Sequence, residues 1–374
     1  MESIQELLKK LCKCIVKSDD GLNYITTSKQ DTPEPGPDPD PPTPPEPEKP
    51  DLDTFDPNVP FCIENIGDVP VEIQIYNYYR IARNHCQISY DLKIWGGYEL
   101  YLDKTGTGGG EKILLANKGD RVYVKADTVK NNTQEGLRIK VANSSNDTKI
   151  RARGNIISLN KGSFDIYKTN YLTIDEAGKF KNLFMDCSSL YQAPELPATT
   201  LATYCYSLMF RGCTNLETAP ELPATTLANY CYESMFRGCT SLTQAPELPA
   251  TTLATYCYQY MFSGCTSLTQ APDLPVTELV RGCYHYMFDG CAGLTQAPDL
   301  PATTLAENCY FAMFYNCTKL NYVKCLATKT SATDCTKYWL KGVSSTGDFY
   351  APVSTNWTTG ENGIPSGWTR HDIT

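Results

Sequence analysis

Apolar and polar positions repeat along the second half of the chain with a period of 26 residues. Met209-Phe210 returns as Met235-Phe236, Met261-Phe262, Met287-Phe288 and Met313-Phe314, without slippage. The unit reads Ala-Pro-(Glu/Asp)-Leu-Pro-Ala-Thr-Thr-Leu-Ala-x-x-Cys-Tyr-x-x-Met-Phe-x-x-Cys-x-x-Leu, and full copies fill 193–322. In one unit Thr199-Thr200 offers an N-cap, and Leu201, Cys205, Leu208 and Met209 fall on one helical face. Gly212 is placed to end that helix. Leu216 and Leu222 flank a short extended segment, which Pro220 keeps from becoming a long paired strand. The pattern therefore predicts a helix plus a short strand per unit. A single unit cannot bury its own face, so neighbours must stack. The expected architecture is an α/β leucine-rich-repeat-type solenoid over 156–374. A degenerate copy at Leu183-Phe184, Cys187 and Leu190 would cap one end, and another at Leu326, Cys335 and Trp339-Leu340 the other.

Upstream the period changes. Pro70–Tyr76 alternates strictly, as a half-buried strand does. Further strands are predicted at Gln87–Trp95, Tyr98–Leu102, Lys112–Leu115, Arg121–Ala126, Leu137–Val141 and Ile150–Ala152. Turn-rich stretches separate them, so 55–155 reads as an all-β, sandwich-like domain. Gly106–Lys112 looks like a phosphate loop, but Glu111 breaks the motif and no helix pattern follows, so it reads as a hairpin turn. Before this domain, prolines at 33, 35, 37, 39, 41, 42, 44, 45, 47 and 50 alternate with acids. Such a tract excludes helix and sheet and favours polyproline II. At ~3.1 Å per residue, its twenty residues would reach roughly 60 Å. The predicted role of 31–54 is a semi-rigid spacer. At the start, Ile4, Leu7, Leu8, Leu11 and Ile15 recur at helical spacing, so 1–30 is expected to carry a short amphipathic helix that anchors or oligomerises.

Composition narrows the chemistry. Lys and Arg number 33 against 42 Asp and Glu, a net charge of −9, which disfavours a nucleic-acid footprint. Three histidines (His85, His285, His371) leave little for His-based catalysis or zinc. No paired acid/base constellation, phosphate loop or metal spacing is present, and no cofactor is expected. No apolar run approaches a membrane span, and no export signal is recognised in the acidic start. The sequons at Asn131, Asn143, Asn146, Asn316 and Asn356 would matter only in a eukaryotic secretory pathway. Most of the 17 cysteines fall into two ladders. One is Cys205, Cys231, Cys257, Cys283, Cys309 and Cys335; the other is Cys187, Cys213, Cys239, Cys265, Cys291 and Cys317. Buried free thiols, disulfides along a ladder and a metal are the alternatives, with thiols best matched to identical neighbouring units.

Comparing the copies shows where the repeat varies. One column holds Ser207, Glu233, Gln259, His285 and Phe311; a second holds Arg211, Arg237, Ser263, Asp289 and Tyr315. A third reads Thr203, Asn229, Thr255, Arg281 and Glu307. Variation marks these as solvent-facing, and the first two columns are the candidate binding surface. The invariant column Tyr206, Tyr232, Tyr258, Tyr284 and Tyr310 would either pack at the core edge or stack sugars.

The unit Cys-Tyr-x-x-Met-Phe-x-x-Cys-Thr-x-Leu-x-x-Ala-Pro-x-Leu-Pro-Ala-Thr-Thr-Leu-Ala resembles the BspA-like leucine-rich-repeat proteins of gut Bacteroidales and of their phages, crAss-like phages included. Gly363-Ile-Pro-Ser-Gly-Trp-Thr369 resembles the usual end of such arrays. Ile63–Asp68 and Gly154–Leu159 resemble the preceding β domain. The resemblance implies surface recognition or adhesion, with no catalytic residues to carry over. Bacterial versions are expected to carry an export signal, whereas this chain opens on an amphipathic helix and a spacer. The expected function is therefore a non-enzymatic phage virion structural protein of fibre or decoration type. It would be anchored by its N-terminus to other virion proteins, be homo-oligomeric, and present the repeats to a host-surface protein or glycan. The alternative is a bacterial cell-surface adhesin.

Overall fold

The computed structural model describes residues 59–77, 84–92, 95–100, 112–126, 137–159 and 172–373. All of them belong to one unit, Lys49–Thr374. The amphipathic helix with Ile4, Leu7, Leu8, Leu11 and Ile15, the proline spacer and the Gly106–Gly110 turn lie outside the described residues.

Among the described residues the first part holds eight strands: β1 (Cys62–Asn65), β2 (Val71–Asn77), β3 (Asn84–Ser89), β4 (Gly96–Leu100), β5 (Ile113–Leu115), β6 (Arg121–Ala126), β7 (Leu137–Val141) and β8 (Ile150–Arg153). β5, β2 and β7 form one sheet; β4, β3, β6, β1 and β8 form the other, which continues into β9 (Leu190–Gln192). Alternation explains β7: Leu137, Ile139 and Val141 are buried, while Arg138 and Lys140 are partly exposed. β1, paired on its edges with β6 and β8, does not alternate; all four of its residues are buried, because Ile63 joins the main core while Cys62 packs with Val59, Tyr123, Leu92 and Trp95 in a second cluster. Its buried Glu64 is held by Arg121 at 3.3 Å and Arg151 at 2.8 Å, which is what lets a charge sit in a central strand. Ile63, Val122 and Ile150 of one sheet and Ile73, Ile75 and Ile139 of the other share one core, which runs on through the repeats.

The repeats correct the predicted helix. Among the described residues there is no α-helix; the segments after each Ala-Thr-Thr-Leu are runs of consecutive turns. The odd N–H groups of Cys205, Ser207, Met209, Arg211 and Cys213 donate three residues back, to Ala202, Tyr204, Tyr206, Leu208 and Phe210. The even N–H groups of Tyr204, Tyr206, Leu208, Phe210 and Gly212 donate to the next unit, to the carbonyls of Asn229, Cys231, Glu233, Met235 and Arg237, at 2.8–3.1 Å. Every donor along the run is thus used, half of them only if a neighbour is present. Every fourth residue has positive φ: Tyr204 (58°), Leu208 (59°), Gly212 (72°). A positive φ at the third residue of a turn is the type II condition, and no α-helix tolerates it. Thr200 accordingly caps no helix; it forms a parallel bridge with Thr226.

The turn run buries pairs of residues, Cys205-Tyr206, Met209-Phe210 and Cys213, and stacks them on the same pairs in the next unit. Ring centroids lie 5.5–5.8 Å apart from Phe184 through Phe210, Phe236, Phe262 and Phe288 to Phe314. The tyrosine column from Tyr206 to Tyr310 stacks at 5.8–6.1 Å and is buried, so it packs rather than contacting a ligand. The repeat cysteines are buried free thiols. In the second ladder the Sγ of Cys213, Cys239, Cys265 and Cys291 each donates to a phenylalanine carbonyl of the preceding unit at 3.1 Å. Three parallel strands end the stack: β10 (Tyr322–Lys324), β11 (Gly347–Pro352) and β12 (Trp368–Ile373). Trp339 continues the tyrosine column at 6.2 Å from Tyr310, stacks on Trp357 at 5.3 Å and donates to the carbonyl of Gly363 at 2.9 Å.

Candidate functional site

The turn runs place the variable columns on one face. Arg211 is exposed; Glu233, Arg237, Gln259, His285, Asp289, Phe311 and Tyr315 are partly exposed. Ser207 and Ser263 are buried, against the expectation that they face solvent. Their hydroxyls donate to carboxylates one unit on: Ser207 to Glu233 at 3.0 Å and Ser263 to Asp289 at 3.1 Å. A serine in these columns thus serves to hold a neighbouring acid. In the third column the N–H of Thr255 donates to Asn229 Oδ1 at 3.1 Å, and Arg281 pairs with Glu307 at 3.3 Å.

Two further columns complete the face, and both occupy the positive-φ positions. Tyr204, Tyr230 and Tyr256 stack at 4.6 and 5.3 Å. Tyr260 and Tyr286 stack at 4.7 Å. Tyrosines at φ between 54° and 58° are unusual and cost about 1–2 kcal/mol each. The surrounding backbone bonds hold them there. Gly282 shows how the first column ends: a Cβ at this position would fall 2.1 Å from Tyr256 Cε1, so the Tyr256 ring covers the glycine.

Around His285 the columns merge into one aromatic patch. The imidazole meets Tyr256, Tyr260 and Tyr286 edge to face at 5.7, 5.8 and 4.8 Å, and stacks on Phe311 at 4.9 Å. Phe311 in turn meets Tyr338 edge to face at 6.0 Å. Burial pushes the His285 pKa down to about 4, so the ring is neutral at pH 7. Cations border the patch: Arg237 lies over Tyr260 at 4.9 Å, Arg281 over Tyr256 at 5.9 Å and Lys341 over Tyr338 at 4.9 Å. Because neighbours and cations take the ring faces, the patch offers ring edges and phenol hydroxyls rather than an open stacking platform. Burial likewise pushes the Asp289 carboxyl up from its ordinary value, against the pull of Ser263 and Arg237.

Sequence comparison found His285, Phe311 and the arginines but missed Tyr204, Tyr230, Tyr256, Tyr260, Tyr286 and Tyr338. Their signal was a spacing of four or eight residues before the glycines at 212, 238, 264, 290 and 342, which marks the left-handed positions. Among the described residues no cluster of three metal-ligating side chains occurs, and no helix is long and apolar enough to cross a membrane.

Residues 181–321 and 231–344 match the family model described as BspA type leucine rich repeat region, in six copies. That match covers the stacked turn runs and the aromatic face, and it supports reading these units as leucine-rich repeats of BspA type. No curated protein and no solved structure matches the chain.

Proposed function

We propose that this chain is a non-enzymatic attachment protein whose leucine-rich-repeat solenoid contacts a host-surface protein or glycan through the turn face. The observation that carries the reading is the patch of Tyr256, Tyr260, His285, Tyr286, Phe311 and Tyr338 bordered by Arg237 and Arg281. Tyrosine and arginine dominate interface hot spots, because they combine large rigid area with polar tips. The strained backbone beneath the tyrosines supports a role outside folding. In the same reading the array is mounted on a bacteriophage virion, as a fibre or decoration protein. Residues 1–30 join it to other virion proteins and to further copies, and the acidic proline tract holds it off the particle. Several copies per particle would convert weak contacts into avidity.

Mass spectrometry of purified phage particles tests the placement: peptides of this chain co-purifying in fixed proportion are expected, and their absence would sink the virion reading. The BspA type match favours a second reading, a bacterial cell-surface adhesin. Surface labelling of uninfected cells would reveal it.

A further inference from the structure

A second face of the repeats carries a different chemistry. The Ala-Pro-acid-Leu-Pro segments of adjacent units face each other across grooves. One, of about 260 Å³, lies between Pro194–Pro197 and Pro220–Pro223; the other, of about 510 Å³, lies between Pro246–Pro249 and Pro272–Pro275. Proline has no N–H, so these segments cannot zip into a continuous ladder, and the grooves stay open. Their floors are alanine, proline and leucine. Along them runs one carboxylate per unit: Glu195, Glu221, Glu247, Asp273 and Asp299.

The chain's own cations meet both ends of this column. Burial pushes the Glu195 carboxyl up and the charge of Arg153 pulls against it; Arg153 also donates to the neighbouring Gln192 Oε1 at 3.2 Å. Lys324 Nζ lies 2.6 Å from Asp299 Oδ2. Leu300 bridges Cys325, so Lys324 stands where the next acid of the column would be. The middle carboxylates, Glu221, Glu247 and Asp273, are exposed and form no ion pair among the described residues.

We propose that these grooves dock an extended, lysine- or arginine-rich polypeptide segment, laid along the column. Its aliphatic stems would lie on the alanine–proline floor while its charged heads reach successive carboxylates, as Lys324 reaches Asp299. Both halves of that requirement favour a polypeptide over a small cation: charge alone would not need the floor. The proposal goes beyond the turn-face reading and stands if that reading fails.

The test is titration of the full chain with decalysine by calorimetry, with spermine and calcium alone as further probes. Glu221→Gln, Glu247→Gln and Asp273→Asn are combined in one variant. A control combines Asp68→Asn, Asp147→Asn and Asp175→Asn, which removes equal charge elsewhere. Saturable decalysine binding is expected, weakened about tenfold in the groove variant and within about threefold of the parent in the control. The same salt-dependent loss in both variants would overturn the proposal, as would no binding by the parent. Spermine or calcium binding as tightly, with the same dependence on the groove carboxylates, would also overturn it, since that would show a site for cations rather than for a polypeptide.

Discussion

Asn308 offers a direct test of the turn run. Its φ is 55°, its N–H donates to the Thr333 carbonyl at 3.0 Å, and its carbonyl accepts from the Phe311 N–H at 3.2 Å. The side chain is partly exposed, so replacing it changes little packing. The perturbation is the pair Asn308→Ala and Asn308→Gly, compared with each other. In the left-handed region a Cβ costs about 1–2 kcal/mol. Glycine's greater freedom in the unfolded chain takes back about 0.4–1 kcal/mol. Glycine should therefore be more stable than alanine here by roughly 0.5–1 kcal/mol. In a helix interior the order reverses, with glycine about 0.8–1 kcal/mol worse than alanine. The two backbones thus give opposite signs. Thermal unfolding of the full chain by circular dichroism resolves this, since 1 kcal/mol moves Tm by about 2–4 °C in a domain of this class. An alanine variant melting above the glycine variant would refute the turn run.

Other outcomes follow from the same packing. Burial holds the Cys205, Cys257 and Cys265 thiols protonated, with pKa values pushed up from 9.0 to about 12. The folded value lies above the unfolded one, so this contribution is complete below pH 9 and is lost as pH rises from 9 toward 12. Each thiol removes about 1.4 kcal/mol per pH unit in that window. Denaturant titrations at pH 8 and 10.5 should therefore show a steep alkaline loss, and equal midpoints would contradict it. The same burial predicts that a thiol-reactive dye labels none of the repeat cysteines in the native chain and all of them in denaturant. Phe262, fully buried and stacked 5.7 Å from both Phe236 and Phe288, should cost about 3–5 kcal/mol as Phe262→Ala, read by denaturant unfolding. Deleting residues 1–30 should lower the sedimenting mass of the assembly; an unchanged mass would place oligomerisation elsewhere.

The 26-residue period and most strands of the β part were legible because each rests on a regular pattern. β6 and β7 fall on the predicted residues, since Arg121–Ala126 and Leu137–Val141 alternate. β1 escaped because a strand buried on both faces has no alternation to show. The turn run was mistaken for a helix for a subtler reason. Cys205-Tyr206, Met209-Phe210 and Cys213 repeat every four residues rather than every 3.6, and over so short a run the two periods nearly coincide. What separates them is Gly282, Asn308 and Asp334 in one column and Gly212, Gly238 and Gly264 in another, all residues that tolerate positive φ. Tyrosine in the first of these columns hid the signal. Ser207 and Ser263 looked like surface because their columns vary, but each is buried and its hydroxyl holds an acid of the next unit.

In the proposed function the turn face, and not the stack behind it, makes the attachment. Binding of the purified full chain to Bacteroidales cells, the hosts that the sequence resemblance implies, measured against Tyr260→Ala/Tyr286→Ala and against a groove-face variant, tests it most directly. Saturable binding that falls at least about tenfold in the tyrosine variant, with its Tm retained, is the expected result. Undiminished binding by a folded tyrosine variant would contradict it.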